Sequence, residues 1–337
     1  MRILLTGAAG FIGAATSLVL LQKGHEVVGV DNLNDYYDVA LKHARLARLS
    51  SNTSFAFFRT DIADRVSMES LFRDHAFDAV VHLAAQAGVR YSLSHPQRYI
   101  DSNLVGFGNI LEGSRQTGAK HLIFASTSSV YGANTKEPFA EQDPTGHPLS
   151  LYAATKRANE LMAHSYAHLF ALPCTGLRFF SVYGPWGRPD MALFQFTKSI
   201  LEDKSIEVYN HGQMQRNFTY VEDVAEAISC ALEKKPVGES SWTNVDQGSS
   251  VAPFRIYNLG HPKSIGLLEM IAMLEDALGK KAICNLVPMH PADIIHNFAD
   301  TIRLEKELAF CPRVPFAEGV KLFVQWYKGY YAASNSR

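Results

Sequence analysis

The sequence predicts an α/β protein: a doubly wound parallel sheet joined to a smaller C-terminal lobe. Three observations predict it. Short apolar runs alternate with segments of helical spacing through the first half; a glycine-rich turn joins the first run to the first helix; the alternation loosens after about residue 180. RILLT (2–6), EVVGV (26–30), SFAFFRT (54–60), DAVVHLA (78–84), HLIFA (121–125) and TGLRFF (175–180) read as strands buried on both faces. Between them IGAATSLVLLQKG (12–24), SMESLFRDHA (67–76) and LVGFGNILEGSRQTG (104–118) read as helices, with Gly24 and Gly118 at their ends. Beyond residue 180, PWGRPD (185–190) reads as a loop, 191–204 as a helix and SIEVYN (205–210) as a short strand. An amphipathic helix at 221–234 opens near acids that suit a positive helix N-terminus. A polar loop (236–253), a strand at RIYNLG (255–260) and helices at about 266–279 and 316–331 complete the chain. The expected division is a first domain over 1–180, rejoined by about 221–260, and a second lobe drawn mainly from 181–337.

Bulk properties exclude several classes. The 337 residues are 47% hydrophobic and 19% charged, which argues against a disordered chain. A formal net charge of −1, without a basic stripe or acidic tail, points away from nucleic acid and anionic membranes as partners. Cys174, Cys230, Cys284 and Cys311 are far apart and form no CxxC pair, so free thiols in a reducing cytoplasm are expected. MRILLTG enters a strand at once, so no signal peptide is expected, and no apolar run approaches the ~18 residues of a membrane span. His164 and His168 lie four apart but lack the glutamate of HExxH, so no metal is expected.

TGAAGFIG follows the first strand. Gly7, Gly10 and Gly13 are spaced three apart where a helix begins, a GxxGxxG variant of the dinucleotide fingerprint, and Phe11 and Ile12 lie between the last two. Glycines there allow a tight turn and let a pyrophosphate approach backbone N–H groups at a helix N-terminus. Asp31 ends the second strand, beside Asn32. Its carboxylate suits ribose hydroxyls and repels a 2′-phosphate, so NAD is favoured over NADP. Asp61 follows the third strand, with Ile62, where adenine is expected. Leu83, Ala84 and Ala85 follow the fourth, small enough for a flat cofactor to lie close. Together these describe a Rossmann-type site for NAD.

LYAATK places Tyr152 and Lys156 four apart, on one face of a helix. A nearby ammonium is expected to lower the phenol's pKa and make Tyr152 a base near neutral pH. The order of features gives the pair its meaning: glycine loop, acid, the hydroxyl-rich strand end STSSVYG (126–132), then Tyr and Lys on the next helix.

With these features in place the chain resembles the extended short-chain dehydrogenases/reductases, and within them the UDP-glucuronate 4-epimerase family. The longer stretches that carry the resemblance are DNLNDYYDVALK (31–42), HLAAQAGVRYSL (82–93), DSNLVGFGNILEG (101–113), LYAATKRANELMAH (151–164), LRFFSVYGPWGRPDMALF (177–194) and NHGQMQRNFTYVEDV (210–224). The resemblance implies a reversible C4 inversion of UDP-glucuronate through a 4-keto sugar, with NAD retained and the C-terminal lobe binding the substrate. Tyr152 would be the base, Lys156 would hold the nicotinamide ribose, and Thr127 would share the O4 proton.

A uronate oxidised at C4 is a β-keto acid and loses CO₂ readily, so an epimerase must hold the carboxylate in an unreactive orientation. Ser128 and Ser129 suit that task, with Ser181, Arg188 and Arg90 as further candidates. Related decarboxylases carry a glutamate where Ser129 stands. Arg216, in QRNFTY, falls where the family binds the diphosphate, and Arg188 is a second candidate for it. Asp293 matches the residue that meets the uridine ribose, although His290-Pro291-Ala292-Asp293 departs from the usual Gln-Pro-Gly-Asp. A decarboxylase and a UDP-galactose 4-epimerase are the alternatives. A homodimer through the helices at 151–170 and about 96–117 is expected by resemblance.

Overall fold

A computed structural model of the chain describes residues 1–289 and 297–334. Its centre is a seven-stranded, wholly parallel sheet. The first half runs β1 (Arg2–Thr6), α1 (Phe11–Gln22), β2 (Glu26–Asp31), α2 (Val39–Ala47), β3 (Phe55–Arg59), α3 (Arg65–Asp74) and β4 (Ala79–His82). Then come α4 (Tyr91–Ser94), α5 (Pro96–Tyr99), a π-helical segment (Ile100–Gly106), α6 (Phe107–Thr117), β5 (Leu122–Thr127), α7 (Leu151–Phe170) and β6 (Cys174–Phe179). The remainder is β7 (Ser181–Tyr183), α8 (Ala192–Leu201), β8 (Ser205–Val208), β9 (Gln215–Tyr220), α9 (Val221–Glu233), β10 (Phe254–Leu259), β11 (Ser264–Gly266), α10 (Leu267–Leu278), β12 (Ile283–Leu286), α11 (Ile302–Leu308) and α12 (Phe316–Ser334).

The sheet order is β10-β6-β5-β4-β1-β2-β3. Alternate residues of a strand face opposite sides. Ile3 and Leu5 therefore join α1 and α9 through Leu20, Val224 and Ile228, whereas Leu4 joins α3 and α6 through Met68, Phe107 and Ile110. Both faces are covered, which is why the central strands read as unbroken apolar runs. The third strand departs from the expected double burial: Ala56, Phe58 and Arg59 are exposed on β3, which is the outermost strand of the sheet and has a neighbour on one side only.

The smaller lobe holds a three-stranded sheet, β11-β9-β7, and a parallel pair, β12-β8. Leu193, Phe194, Met270, Leu274 and Phe323 of α8, α10 and α12 form its core. The chain returns from this lobe to add α9 and β10 to the main sheet.

Some elements have no strong sequence signal. The buried face of α2 is Leu41, Lys42 and Arg45, so apolar periodicity is missing there. β9, the polar QRNFTY, is a strand because β7 and β11 pair with it. The helix read at 104–118 begins earlier, running from α5 through the π segment. β5 extends past Ala125 and takes in Ser126 and Thr127, which pair with Arg178 and Phe179. Among the described residues no helix is long and apolar enough to cross a membrane.

Candidate active site

β1 lies between β2 and β4, so crossovers leave it in opposite directions and a crevice opens at the carboxyl ends of these strands. A cavity of about 240 Å³ fills that crevice. At one end are the glycine turn and Asp31; at the other are Thr127, Tyr152 and Lys156. Gly7 has φ +75°, and a Cβ there would stand 2.8 Å from the Ala84 amide nitrogen. A Cβ at Gly13 would overlap the Gly7 carbonyl oxygen. The glycines thus let α1 start directly against the strand ends. No side chain caps α1, and its first turn carries no acid.

Phe11, Ile12, Asn32, Ile62, Leu83, Ala84 and Ala85 line the same cavity. Asp31 accepts from the Leu33 amide at 2.8 Å and the Ala9 amide at 3.2 Å, which joins the acid to the glycine turn. Asp61 does not line the cavity. It accepts from Asn32 Nδ2 at 2.8 Å and the Ala63 amide at 2.9 Å, so it holds Asn32 in place.

The end of β5 meets the start of α7. Thr127 and Tyr152 both line this end of the cavity, and the Thr127 hydroxyl favours the ionised form of the Tyr152 phenol. Thr127 Oγ1 also accepts from the Ser129 amide at 3.2 Å. Lys156 Nζ donates to the Ala125 carbonyl at 2.8 Å, and burial lowers its pKa to about 8, against the pull of Glu160. The expectation that Lys156 lowers the Tyr152 pKa is not met in this state. Burial raises the Tyr152 phenol above its ordinary range, outweighing the Thr127 hydroxyl and the Arg188 charge, because Lys156 directs its ammonium to the β5 backbone.

A second cavity, about 160 Å³, shares Phe11, Val182, Arg188 and Met191 with the first, and Ser181 and Arg216 line it. Arg188 binds Asp190 through Nε at 3.0 Å and Nη2 at 2.5 Å. Asp190 also accepts from the Tyr36 hydroxyl at 2.9 Å. The other serine and arginine candidates lie apart from both cavities. Ser128 is buried, its Oγ accepting from Asn297 Nδ2 at 3.0 Å. Ser129 meets Thr127, and Arg90 stacks 4.5 Å over the Tyr209 ring of the smaller lobe. Asp293 lies outside the described residues. His164 meets Ser250 Oγ at 2.8 Å.

The structure adds residues that the sequence reading passed over. Asn103, in the π segment, donates to the Gln86 carbonyl and Thr155 Oγ1, each at 3.0 Å, and its own carbonyl accepts from Asn159 at 2.6 Å. It fixes the β4 exit loop to α7. Its signal was an asparagine inside an apolar helical run. Glu160 is fully buried and paired with Arg178 at 2.9 and 3.0 Å, with Arg157 at 2.8 Å and Ser126 Oγ at 2.6 Å. Its signals were the spacing of four continuing from Tyr152 and Lys156, and an arginine within an apolar strand. Arg45, also fully buried, donates to the Ala9 carbonyl at 3.1 Å and the Trp186 carbonyl at 2.6 Å.

Comparison with known proteins gives a consistent family. The model of the NAD dependent epimerase/dehydratase family matches residues 3–258. The chain is 50% identical to protein CapI of Staphylococcus aureus over 333 residues, covering 98% of this chain and 99% of CapI. It is 44% identical to UDP-glucuronate 4-epimerase 4 of Arabidopsis thaliana over 98% of this chain and 76% of that protein. The crystal structure of UDP-glucuronic acid 4-epimerase from Bacillus cereus, in complex with UDP-glucuronic acid and NAD, superposes with a TM-score of 0.88 at 33% identity, covering 98% of this chain and 100% of the other.

Proposed function

The chain belongs to the NAD dependent epimerase/dehydratase family, and from that premise we propose its reaction: reversible C4 epimerisation of UDP-glucuronate to UDP-galacturonate, with NAD held throughout. The observation that carries the reading is the gathering of Thr127, Tyr152 and Lys156 at one end of a glycine-cradled cleft.

The cleft fits the dinucleotide on its own geometry. The uncapped start of α1 offers its N–H groups and positive dipole end to a diphosphate, and side-chain-free glycines allow the approach. Gly10, Phe11 and Ile12 would hold the diphosphate. Asp31, with Asn32 braced by Asp61, would hold the adenosine ribose, Ile62 and Leu83–Ala85 would flank the rings, and Lys156 would meet the nicotinamide ribose. Bound NAD supplies the acceptor and then the donor of the C4 hydrogen, and its positive charge favours loss of the phenol proton.

Tyr152 takes the O4 proton and later returns it, with Thr127 beside it at the cavity wall to share it. Arg188 and Arg216 present cations to the diphosphate and carboxylate, with Ser181 beside them. Ser128 accepts from Asn297, which leaves its own proton to donate; meeting the carboxylate would require it to turn into the cleft that it does not line in this structure. Ser129 adds a second neutral hydroxyl where the decarboxylases carry glutamate. The acid that does meet this strand end, Glu160, is committed to two guanidiniums and Ser126. Decarboxylation and neutral-sugar epimerisation are therefore not favoured.

In this reading the main sheet domain binds NAD and the smaller lobe binds UDP. Exposed Leu161, Leu169 and Phe170 on α7 and Val105 in the π segment support a homodimer, which sedimentation velocity would test. Four cysteines without a disulfide suit a reducing, cytoplasmic setting.

The test is incubation of purified protein with UDP-glucuronate and no added cofactor, followed by NMR. UDP-galacturonate is expected. A UDP-pentose with CO₂ release would move the assignment to a decarboxylase, and a demand for external NAD with NADH accumulating would make it a dehydrogenase.

A further inference from the structure

We propose that Asp190 is a positioning residue: it aims the Arg188 guanidinium at the anionic part of the substrate and, through Tyr36, ties that aim to the cofactor half of the cleft. The inference deepens the uronate reading and rests on it.

Arg188 lines both cavities, so it stands where cofactor space and substrate space meet. Its Nε–H and one Nη2–H are taken by the two Asp190 oxygens. A guanidinium carries five N–H donors in a planar fork. Fixing the Nε/Nη2 edge sets the direction of the Nη1/Nη2 edge, whose remaining donors meet no protein acceptor among the described residues. That edge has the spacing to grip two oxygens of a carboxylate or a phosphate.

Asp190 is itself held. Its Oδ2 accepts from the Tyr36 hydroxyl, and Tyr36 lies on the β2–α2 loop just beyond Asp31 and lines the cofactor cavity. A second tie runs alongside: Arg45 of α2 grips the carbonyl of Trp186, two residues before Arg188, and the Ala9 carbonyl of the glycine turn. The loop carrying Arg188 is thus pinned at both ends to elements that shape the cofactor site. Replacing the Asp190 carboxylate with an amide would set an NH₂ against a guanidinium donor and release the fork while keeping its charge.

The experiment titrates NAD-loaded protein with UDP, UDP-glucose and UDP-glucuronate, using wild type, Asp190→Asn, Tyr36→Phe, Arg188→Gln and the Asp190→Asn/Arg188→Gln double variant. Asp190→Asn is expected to weaken UDP-glucuronate binding about tenfold, and Tyr36→Phe about threefold. In turnover, KM rises while kcat changes by less than about threefold, a split that general loss of structure would not give. Asp190→Asn should add nothing to Arg188→Gln, since it acts through that residue. A loss confined to UDP-glucuronate identifies the carboxylate as the target, and a loss shared by all three ligands identifies the diphosphate. Binding as tight as wild type, tighter binding, or a penalty that adds to that of Arg188→Gln would overturn the proposal. If Asp190→Asn does not fold, Tyr36→Phe decides by the same criteria. Wild-type product analysis is separate: no UDP-galacturonate, with the binding pattern intact, would overturn the reaction assignment and leave Asp190's role standing.

Discussion

Ser126, near the end of β5, donates a 2.6 Å hydrogen bond to Glu160, about two turns along α7 from Tyr152. This contact explains why hydroxyls gather at that strand end without an acid among them. The acid is on the neighbouring helix, fully buried and neutralised by Arg178 and Arg157. Ser126 therefore faces the framework, Thr127 faces Tyr152, and Ser128 faces Asn297. Consecutive hydroxyls have different partners because successive residues leave the strand end in different directions.

Glu160→Gln should destabilise the protein by about 3 kcal/mol at pH 7, because it leaves Arg178 charged and buried without its counter-ion. Burial alone would raise the Glu160 pKa; Arg178 and the other donors outweigh it and hold the carboxyl below its ordinary value. A depressed carboxylate adds stability above its unfolded pKa and loses it as pH falls through the folded one. The gap between wild type and variant should thus narrow below about pH 4 in denaturant titrations. A constant gap down to pH 3 would argue against this pairing.

Lys156→Met separates activity from stability. The folded pKa is about 8 against an ordinary 10.5, so below about pH 8 both states keep the proton and the buried ammonium costs the folded state. As pH rises from 8 towards 10.5 the folded protein gives up the proton first, and the cost fades. The variant should be more stable than wild type by about 2 kcal/mol at pH 7, after loss of the Ala125 hydrogen bond, with the difference shrinking by pH 10. Its epimerase activity should fall about 100-fold. Chemical denaturation at the two pH values checks the first statement.

Tyr152→Phe removes the base and the partner of Thr127 while keeping the ring. The kcat should fall about 10³-fold, with NAD content and thermal midpoint unchanged, measured on released nucleotide and by calorimetry. Residual activity within tenfold of wild type would remove Tyr152 from the mechanism.

Gly13→Ala should yield folded protein largely without NAD. The added methyl overlaps the Gly7 carbonyl oxygen and forces α1 away from the turn that would hold the diphosphate. Absorbance of nucleotide released on denaturation gives the occupancy. Retention equal to wild type would mean that the turn relaxes around the methyl.

The sequence by itself determined the parallel sheet, the glycine turn with Asp31, and the Tyr152–Lys156 pair, because each is a local signal: apolar runs, residues spaced by three, residues spaced by four. It also placed Thr127 at a strand end. The tertiary structure alone decided what these groups touch. Arg178 reaches Glu160 because β6 lies beside β5 under α7, and Asp190 reaches Tyr36 because the smaller lobe folds back over the β2–α2 loop. Tyr36 and Asp190 are 154 positions apart, and no periodicity spans that distance. α2 stayed hidden for a related reason: its buried positions include Lys42, held by Asn34 of the loop just before it, and Arg45, which is inside only because the distant Ala9 and Trp186 carbonyls receive its charge.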